Sequence, residues 1–142
     1  ALHFAARHPR RVRALVALGP ATGIPEERRS ATLAQADRVE REGMAAVADG
    51  ALARSYPEAL RGEMARFRQF RARWLANDPG SYAATTRMLA GLEMEAEIAA
   101  LRLPCLFLAG TLDPLRPPAA VEPVARSVPG ARFEAIESGH FS

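Results

Sequence analysis

The sequence has 142 residues, 49% of them hydrophobic, which is enough for a single globular domain with a buried core. Its net charge is only +3, and all 19 basic residues are arginines. The sequence has no basic patch interleaved with aromatic residues, so we expect no nucleic acid as partner. It also has no apolar run long enough to cross a bilayer, so we expect no membrane as partner. The single cysteine excludes an internal disulfide framework and, with no visible secretory signal, favours a cytoplasmic protein.

The first 20 residues predict a helix followed by a strand. Residues 1–8 have the composition of a helix without a start signal, and Pro9 ends it because proline cannot extend the helical hydrogen-bond ladder. Val12–Leu18 is apolar over most of its length instead of alternating, which is typical of a strand covered on both faces in a parallel sheet. Gly19 and Pro20 end this strand.

Residues 21–100 predict a block of helices without strands. Helical periodicity covers Ser30–Arg41 and Met44–Arg54, and a capping box at Ser55–Glu58 predicts the start of the next helix. The apolar stripe of that helix consists of Leu60, Met64, Phe67, Phe70 and Trp74. Its simplest role is packing against neighbouring helices.

A further helix follows at Asp78 and Pro79, which have the residue types of a cap and a first helical turn. This helix contains Tyr82 and ends at Gly91, and the shorter helical segment Glu93–Leu101 comes after it. Trp74 and Tyr82 are candidate walls of a substrate pocket.

The last 42 residues predict two further strands joined by a helix. Cys105–Ala109 is almost wholly apolar, Ala119–Val128 is a helix candidate, and Arg132–Ile136 is a short final strand. With Val12–Leu18 they form a three-stranded parallel sheet in an α/β fold, because each connection is long enough for a crossover. The helical block is inserted between the first two strands.

Asp113 and His140 follow two successive strands and lie 27 residues apart. Side chains just past the carboxyl ends of parallel strands share one crevice, so we expect the two to meet there. Asp113 would hold the imidazole in the correct tautomer, and His140 would act as general base and then general acid. Ser138 and Ser142 flank the histidine, but no serine in the 142 residues has the Gly-x-Ser-x-Gly setting of a nucleophile.

These segments resemble the C-terminal half of an α/β-hydrolase. ALHFAARHPRRVRALVALGPA is similar to the helix after the nucleophile elbow with the next strand, GTLDPLRPP to the acid loop, and ESGHF to the histidine loop. The resemblance implies that residues 1–20 belong to the core, 21–100 form a helical cap, and 101–142 form core strands with the two catalytic loops. It also implies a nucleophile and oxyanion donors before Ala1, so we expect the chain alone to be inactive.

The segment NDPGSYAATTRMLAGLEMEAEIAALRLPCLFLAG is similar to the cap and following strand of the 3-oxoadipate enol-lactonase group and its carboxylesterase relatives. This resemblance implies a bacterial hydrolase of a small ester or lactone that acts through a serine acyl-enzyme. It implies no cofactor, and the three histidines and one cysteine lack the close spacing of a metal site. The missing N-terminal half would be needed to complete the sheet and the triad.

Three alternatives remain open at this stage. The same fold could carry out carbon–carbon bond hydrolysis, acyl transfer or perhydrolysis, or use an aspartate nucleophile as dehalogenases and epoxide hydrolases do. The arginine-rich helical block could instead be a non-catalytic interaction module. Finally, Asp113 and His140 could be a coincidence in another α/β family, for which a separation beyond about 5 Å would be the evidence.

Overall fold

The computed structural model describes residues 1–141. The chain forms two compact units: the core unit, Ala1–Ala21 with the segment from Met94 onward, and the helical unit, Thr22–Glu93. The strands are β1 (Leu15–Leu18), β2 (Cys105–Gly110) and β3 (Arg132–Ile136). The α-helices are α1 (Leu2–Arg7), α2 (Glu26–Glu42), α3 (Ala48–Ser55), α4 (Met64–Leu75), α5 (Pro79–Ala90), α6 (Glu95–Ala99) and α7 (Pro118–Arg126). Short 3-10 helices occupy Pro9–Arg11, Met44–Val47 and Glu58–Leu60.

The core unit is built on a parallel sheet in the order β1-β2-β3. Leu15 pairs with Cys105 at the start of β1, and Gly110 pairs with Ile136 at the end of β3. The predicted α/β class with three parallel strands is confirmed. Because all three strands run in the same direction, the loops that follow them leave from the same side of the sheet, the edge formed by the carboxyl ends of the strands.

The central strand β2 supplies the middle of the core. Phe107 and Ala109 have no exposed surface, and Cys105 is 5% exposed. Helix α7 packs against β2 and β3 and buries Val121 and Ala125. The mostly apolar sequence of β2 is therefore explained by its two strand neighbours and the helix that packs against it.

Strand β1 is shorter than predicted, and its coverage differs from the expectation. The hydrogen-bond ladder between β1 and β2 begins at Leu15, whose N–H donates to the carbonyl of Pro104 (2.9 Å). The predicted start of the strand, Val12, therefore lies before the first residue of β1. Leu15 and Ala17 are buried, but Val16 is 62% exposed and Leu18 is 41% exposed. Successive side chains of a strand point to opposite faces, so one face of β1 is covered and the other is open, and β1 also lies at an edge of the described sheet, where it pairs only with β2.

The helical unit has a core of its own. Its buried cluster contains Val39, Met44, Ala48, Ala51, Leu52 and Trp74. Helices α2 and α5 pack closely because small side chains meet between them, with Ala36 and Ala83 both fully buried. On the surface Arg87 of α5 bridges two carboxylates of α2, at 2.7 Å from Asp37 and 2.5 Å from Glu40. These ion pairs raise the pKa of the Arg87 guanidinium.

The capping box predicted at Ser55–Glu58 is wrong. Ser55 is the last residue of α3, and its buried hydroxyl donates to the carbonyl of Ala51 (2.7 Å). Pro57 disfavours a helical conformation for the residue before it, so Tyr56 is non-helical (φ −133°, ψ 80°) and the helix stops. Helix α4 begins only at Met64. Of the predicted stripe, Trp74 lies in the buried cluster with Phe70 packed against it, and Phe67 packs on the buried Tyr56 ring, with centroids 5.3 Å apart.

The helix start predicted at Asp78 and Pro79 is confirmed. The Asp78 carboxylate accepts a hydrogen bond from Ser81 N–H (2.8 Å), which satisfies a first-turn amide of α5. This hydrogen bond lowers the pKa of Asp78. Gly91 ends the helix, also as predicted. Among residues 1–141, no helix has both the length and the apolar composition required to cross a bilayer.

The exposed edge at β1 predicts self-association of the isolated polypeptide of residues 1–142. An unpaired strand edge offers amides and carbonyls to another chain, and a charged side chain opposes such pairing. We therefore expect sedimentation velocity to show association that Val16→Lys reduces. Met88→Lys is the matched control, because Met88 is 54% exposed but lies on α5. A monomeric, cooperatively unfolding parent chain, or equal relief by both variants, would contradict this prediction.

Candidate active site

The loop after β2 carries Asp113 and holds its carboxylate in place. Asp113 Oδ1 accepts hydrogen bonds from the amides of Leu115 (2.8 Å) and Arg116 (3.0 Å). This is the local pattern by which an aspartate closes a turn over the residues that follow it. Asp113 is only 2% exposed, so these amides replace part of the water that an ionised carboxylate would otherwise bind.

The loop after β3 carries His140 and runs beside the acid loop. Two backbone hydrogen bonds hold the acid loop to this segment: Thr111 N–H donates to the carbonyl of Ile136 (2.8 Å), the last residue of β3, and Leu112 N–H donates to that of Ser138 (3.0 Å) in the histidine loop. They extend the pairing of β2 with β3 beyond the end of the strands. The histidine loop is therefore aligned with the acid loop by the main chain itself.

The two side chains meet at this edge of the sheet. His140 Nδ1 lies 2.8 Å from Asp113 Oδ2, within the reach that the sequence analysis set as its criterion. In the tautomer that donates from Nδ1 to this carboxylate, Nε2 keeps a lone pair. The imidazole is 24% exposed, which leaves part of the ring open to a reactant. Chemically, the pair is able to take up a proton at Nε2 and stabilise the resulting imidazolium.

Gly110, the last residue of β2, permits this arrangement because it has no side chain. A Cβ at this position would lie 2.3 Å from the carbonyl oxygen of Ser138 and 2.9 Å from that of Gly139. Both neighbours are backbone atoms and cannot rotate away. The histidine loop therefore crosses the end of β2 where only glycine fits. Sequence reasoning treated Gly110 simply as the start of a loop, although a glycine directly after a buried strand could have signalled a close backbone approach.

A third loop, which follows β1, also reaches the pair. A Cβ at Gly19 would lie 3.4 Å from Asp113 Oδ2 and 3.5 Å from His140 Nδ1. Gly19 has a φ of +49°, a conformation that favours glycine. From the sequence Gly19 is recognisable only as the end of a strand, because its approach to Asp113 and His140 depends on the folded chain.

The two candidate substrate-pocket residues belong to the helical unit. Trp74 is 8% exposed within the buried cluster of that unit, and Tyr82 packs edge-on against it with ring centroids 5.7 Å apart. Burial raises the pKa of the Tyr82 phenol, although the charge of Arg54 opposes this. Both residues thus contribute to the packing of the helical unit, and their role in substrate binding stays a prediction.

The other histidines, the buried Ser138 and the single cysteine lie away from the Asp113–His140 hydrogen bond or have contacts of their own. His3 contacts Glu97 (2.8 Å), and the His8 ring packs against Phe4. Ser138 is buried, and its hydroxyl donates to the Gly139 carbonyl (3.1 Å). Burial raises the pKa of the Cys105 thiol, which reduces its reactivity. Within the described part of the chain, no three His, Cys, Asp or Glu side chains are grouped to hold a metal ion.

Solved structures match this chain over nearly its whole length. An enol-lactonase from Burkholderia xenovorans is 25% identical, with a TM-score of 0.86, and the match covers 98% of this chain and 53% of that one. A thermophilic esterase from Thermogutta terrifontis is 26% identical, with the same TM-score and the same coverage. A hydrolase from Pseudomonas aeruginosa is 25% identical over 97% of this chain and 52% of its own, with a TM-score of 0.82.

The chain has the fold of the C-terminal half of an α/β-hydrolase. The resemblance predicted from the acid and histidine loops is thereby confirmed, and the chain spans about half the length of the solved α/β-hydrolases that it matches. A bromoperoxidase from Bacillus anthracis shares the fold at 14% identity, with a TM-score of 0.74 over 92% of this chain and 52% of its own, so the fold by itself does not fix the reaction. No protein-family model and no curated protein matches the sequence.

Gly110→Ala should separate the acid loop from the histidine loop. The added methyl group meets backbone oxygen, so we expect a loss of about 1–3 kcal/mol in the free energy of unfolding, as in other overpacked sites. Chemical denaturation measures this loss. Gly62→Ala is the control, because a Cβ there meets nothing within 4 Å and should be neutral or slightly stabilising. Equal stability of the Gly110→Ala variant and the parent would show that the loops do not need this close approach.

Trp74→Ala should leave a large cavity in the helical unit and cost about 3–5 kcal/mol, whereas Trp74→Phe keeps most of the ring packing and should cost clearly less. Denaturant unfolding, followed by circular dichroism, measures both. A loss below about 1 kcal/mol for Trp74→Ala would contradict its place in the core.

Proposed function

We propose that this chain is the relay-bearing half of a hydrolase that cleaves a small carboxylic ester or lactone through a serine acyl-enzyme. The observation that carries the proposal is the 2.8 Å contact between Asp113 Oδ2 and His140 Nδ1 at the edge where parallel strands end. An acid that orients an imidazole in this way is the arrangement that activates a serine hydroxyl. The likeness to an enol-lactonase and an esterase supports the bond type.

In the proposed reaction His140 Nε2 removes the proton from a serine hydroxyl while the serine oxygen attacks the substrate carbonyl carbon. The imidazolium formed in this step is stabilised by the buried Asp113 carboxylate. It then returns its proton to the leaving oxygen as the bond to the carbonyl carbon breaks, which leaves an acyl-serine. Water, deprotonated by the same imidazole, releases the acid and regenerates the serine. The scheme uses no metal or cofactor.

By this proposal the nucleophile and the oxyanion donors come from residues outside this sequence. We assign them to the polypeptide that precedes Ala1 in the complete protein, with a Gly-x-Ser-x-Gly turn as the nucleophile elbow. The unpaired edge of β1 and its exposed apolar side chains, Val16 and Leu18, support this assignment. Strands of a parallel sheet are normally covered on both faces, so exposed apolar residues here are consistent with further structure beside β1. By this proposal the polypeptide of residues 1–142 is inactive alone, and its main partner is that N-terminal half.

Substitution of the relay in the complete protein tests the proposal. With a panel of aryl esters and lactones, we expect His140→Ala and Asp113→Asn each to lower kcat/KM by at least about 100-fold, the contribution typical of a positioned general base. A fluorophosphonate probe should label one serine of the parent protein and label the His140→Ala variant far more slowly.

The matched controls are His8→Ala and Asp49→Asn. His8 is exposed beside Phe4, and the Asp49 side chain is 98% exposed, so neither change should alter turnover. Retention of hydrolysis by both relay variants would reject the relay. Turnover of carbon–carbon, acyl-transfer or perhydrolysis substrates in place of esters and lactones would keep the relay and replace the proposed bond type. Aspartate in the serine position would redirect the reaction to dehalogenase or epoxide hydrolase chemistry.

A further inference from the structure

Arg116 links the acid loop to the loop that follows β1. Its backbone N–H donates to Asp113 Oδ1 (3.0 Å), and its side-chain Nε donates to the carbonyl of Pro20 (3.2 Å). The same side chain donates through Nη1 to the carbonyl of Leu115 (2.9 Å). Arg116 and Pro20 are 96 residues apart, so this contact fixes two loops that the chain itself does not connect locally.

The loop that Arg116 holds borders the hydrogen bond between Asp113 and His140. Gly19 N–H donates to the carbonyl of Leu108 (2.9 Å), which attaches the start of this loop to β2. A Cβ at Gly19 would be in ordinary contact with both Asp113 Oδ2 and His140 Nδ1. Movement of Pro20 would therefore move its neighbour Gly19 away from the pair and admit water there.

Arginine suits this position for a physical reason. Pro20 has no N–H, so its carbonyl is the one backbone group through which it can form a hydrogen bond. Arg116 is half-buried, and its planar guanidinium has several donors in a fixed geometry, so it serves the carbonyls of Pro20 and Leu115 together. Lysine keeps the charge but concentrates it at one flexible ammonium group.

We infer that Arg116 is a positioning residue, whose side chain holds the Gly19–Pro20 loop against the Asp113–His140 pair and shields that hydrogen bond from water. The inference deepens the proposed function, since it takes the pair to be the catalytic relay. In this role Arg116 acts on the two relay residues and not on the reacting atoms. Its effect on turnover is exerted through the orientation of Asp113 and His140.

The test follows the His140 Nδ1 proton in the complete protein labelled with 15N-histidine. The proton signal is assigned by its loss in His140→Gln, and its exchange with solvent reports water access to the hydrogen bond. We expect Arg116→Met to speed this exchange about tenfold, the factor that corresponds to loss of one hydrogen bond. Arg116→Lys should give an intermediate rate. In turnover, kcat should fall while KM stays within about twofold.

Arg102→Met is the matched control. Arg102 lies in the same unit and also donates to backbone carbonyls, those of Ala99 (2.7 Å) and Leu101 (2.8 Å), but not in these loops. Unchanged exchange in Arg116→Met, or an equal change in Arg102→Met, would overturn the inference. If Arg116→Met does not fold, Arg116→Lys decides: faster exchange than in the parent supports the role, and an equal rate overturns it. The exchange measurement does not depend on turnover. Its failure would therefore reject only the role of Arg116, whereas retained hydrolysis in His140→Ala would reject the proposed function.

Discussion

The structure depends on the backbone pairing of two loops that leave neighbouring parallel strands. Thr111 and Leu112 of the acid loop donate to the carbonyls of Ile136, the last residue of β3, and of Ser138 in the histidine loop, so the β2–β3 ladder continues past the sheet. Gly110 allows the two backbones to approach closely at the start of this pairing. The contact between Asp113 and His140 follows from that alignment, because each side chain is carried by a loop whose main chain is already fixed.

The sequence predicted the sheet and the meeting of the two loops because both depend on strong, regular signals. A nearly continuous apolar run such as Cys105–Ala109 has few alternatives to a buried strand, and strand β3 agrees with its prediction at both ends, Arg132 and Ile136. Parallel strands then place their following loops at one edge, so the order of Asp113 and His140 in the chain was enough to bring them together.

Features that depend on contacts between distant segments were missed. The residues from Ser55 to Glu58 have the composition of a capping box, but Pro57 and the hydrogen bond from the Ser55 hydroxyl to Ala51 place them at the end of a helix. Gly19 approaches Asp113, and the Arg116 side chain reaches Pro20, only through folding, and nothing in the local sequence indicates either contact. Contacts of this kind can be recognised only in the folded structure, whereas helices, strands and turns can be predicted from periodicity and turn residues.

The burial of Asp113 explains why its loop is so closely specified. An ionised carboxylate that is 2% exposed requires donors to replace water, and here the amides of Leu115 and Arg116 and the imidazole of His140 provide them. Two of these three donors belong to the backbone of the acid loop, so the loop that positions the carboxylate also solvates it. A change in the path of this loop would remove both functions together. The Asp113–His140 pair therefore depends more on main-chain geometry than on the identity of most side chains around it.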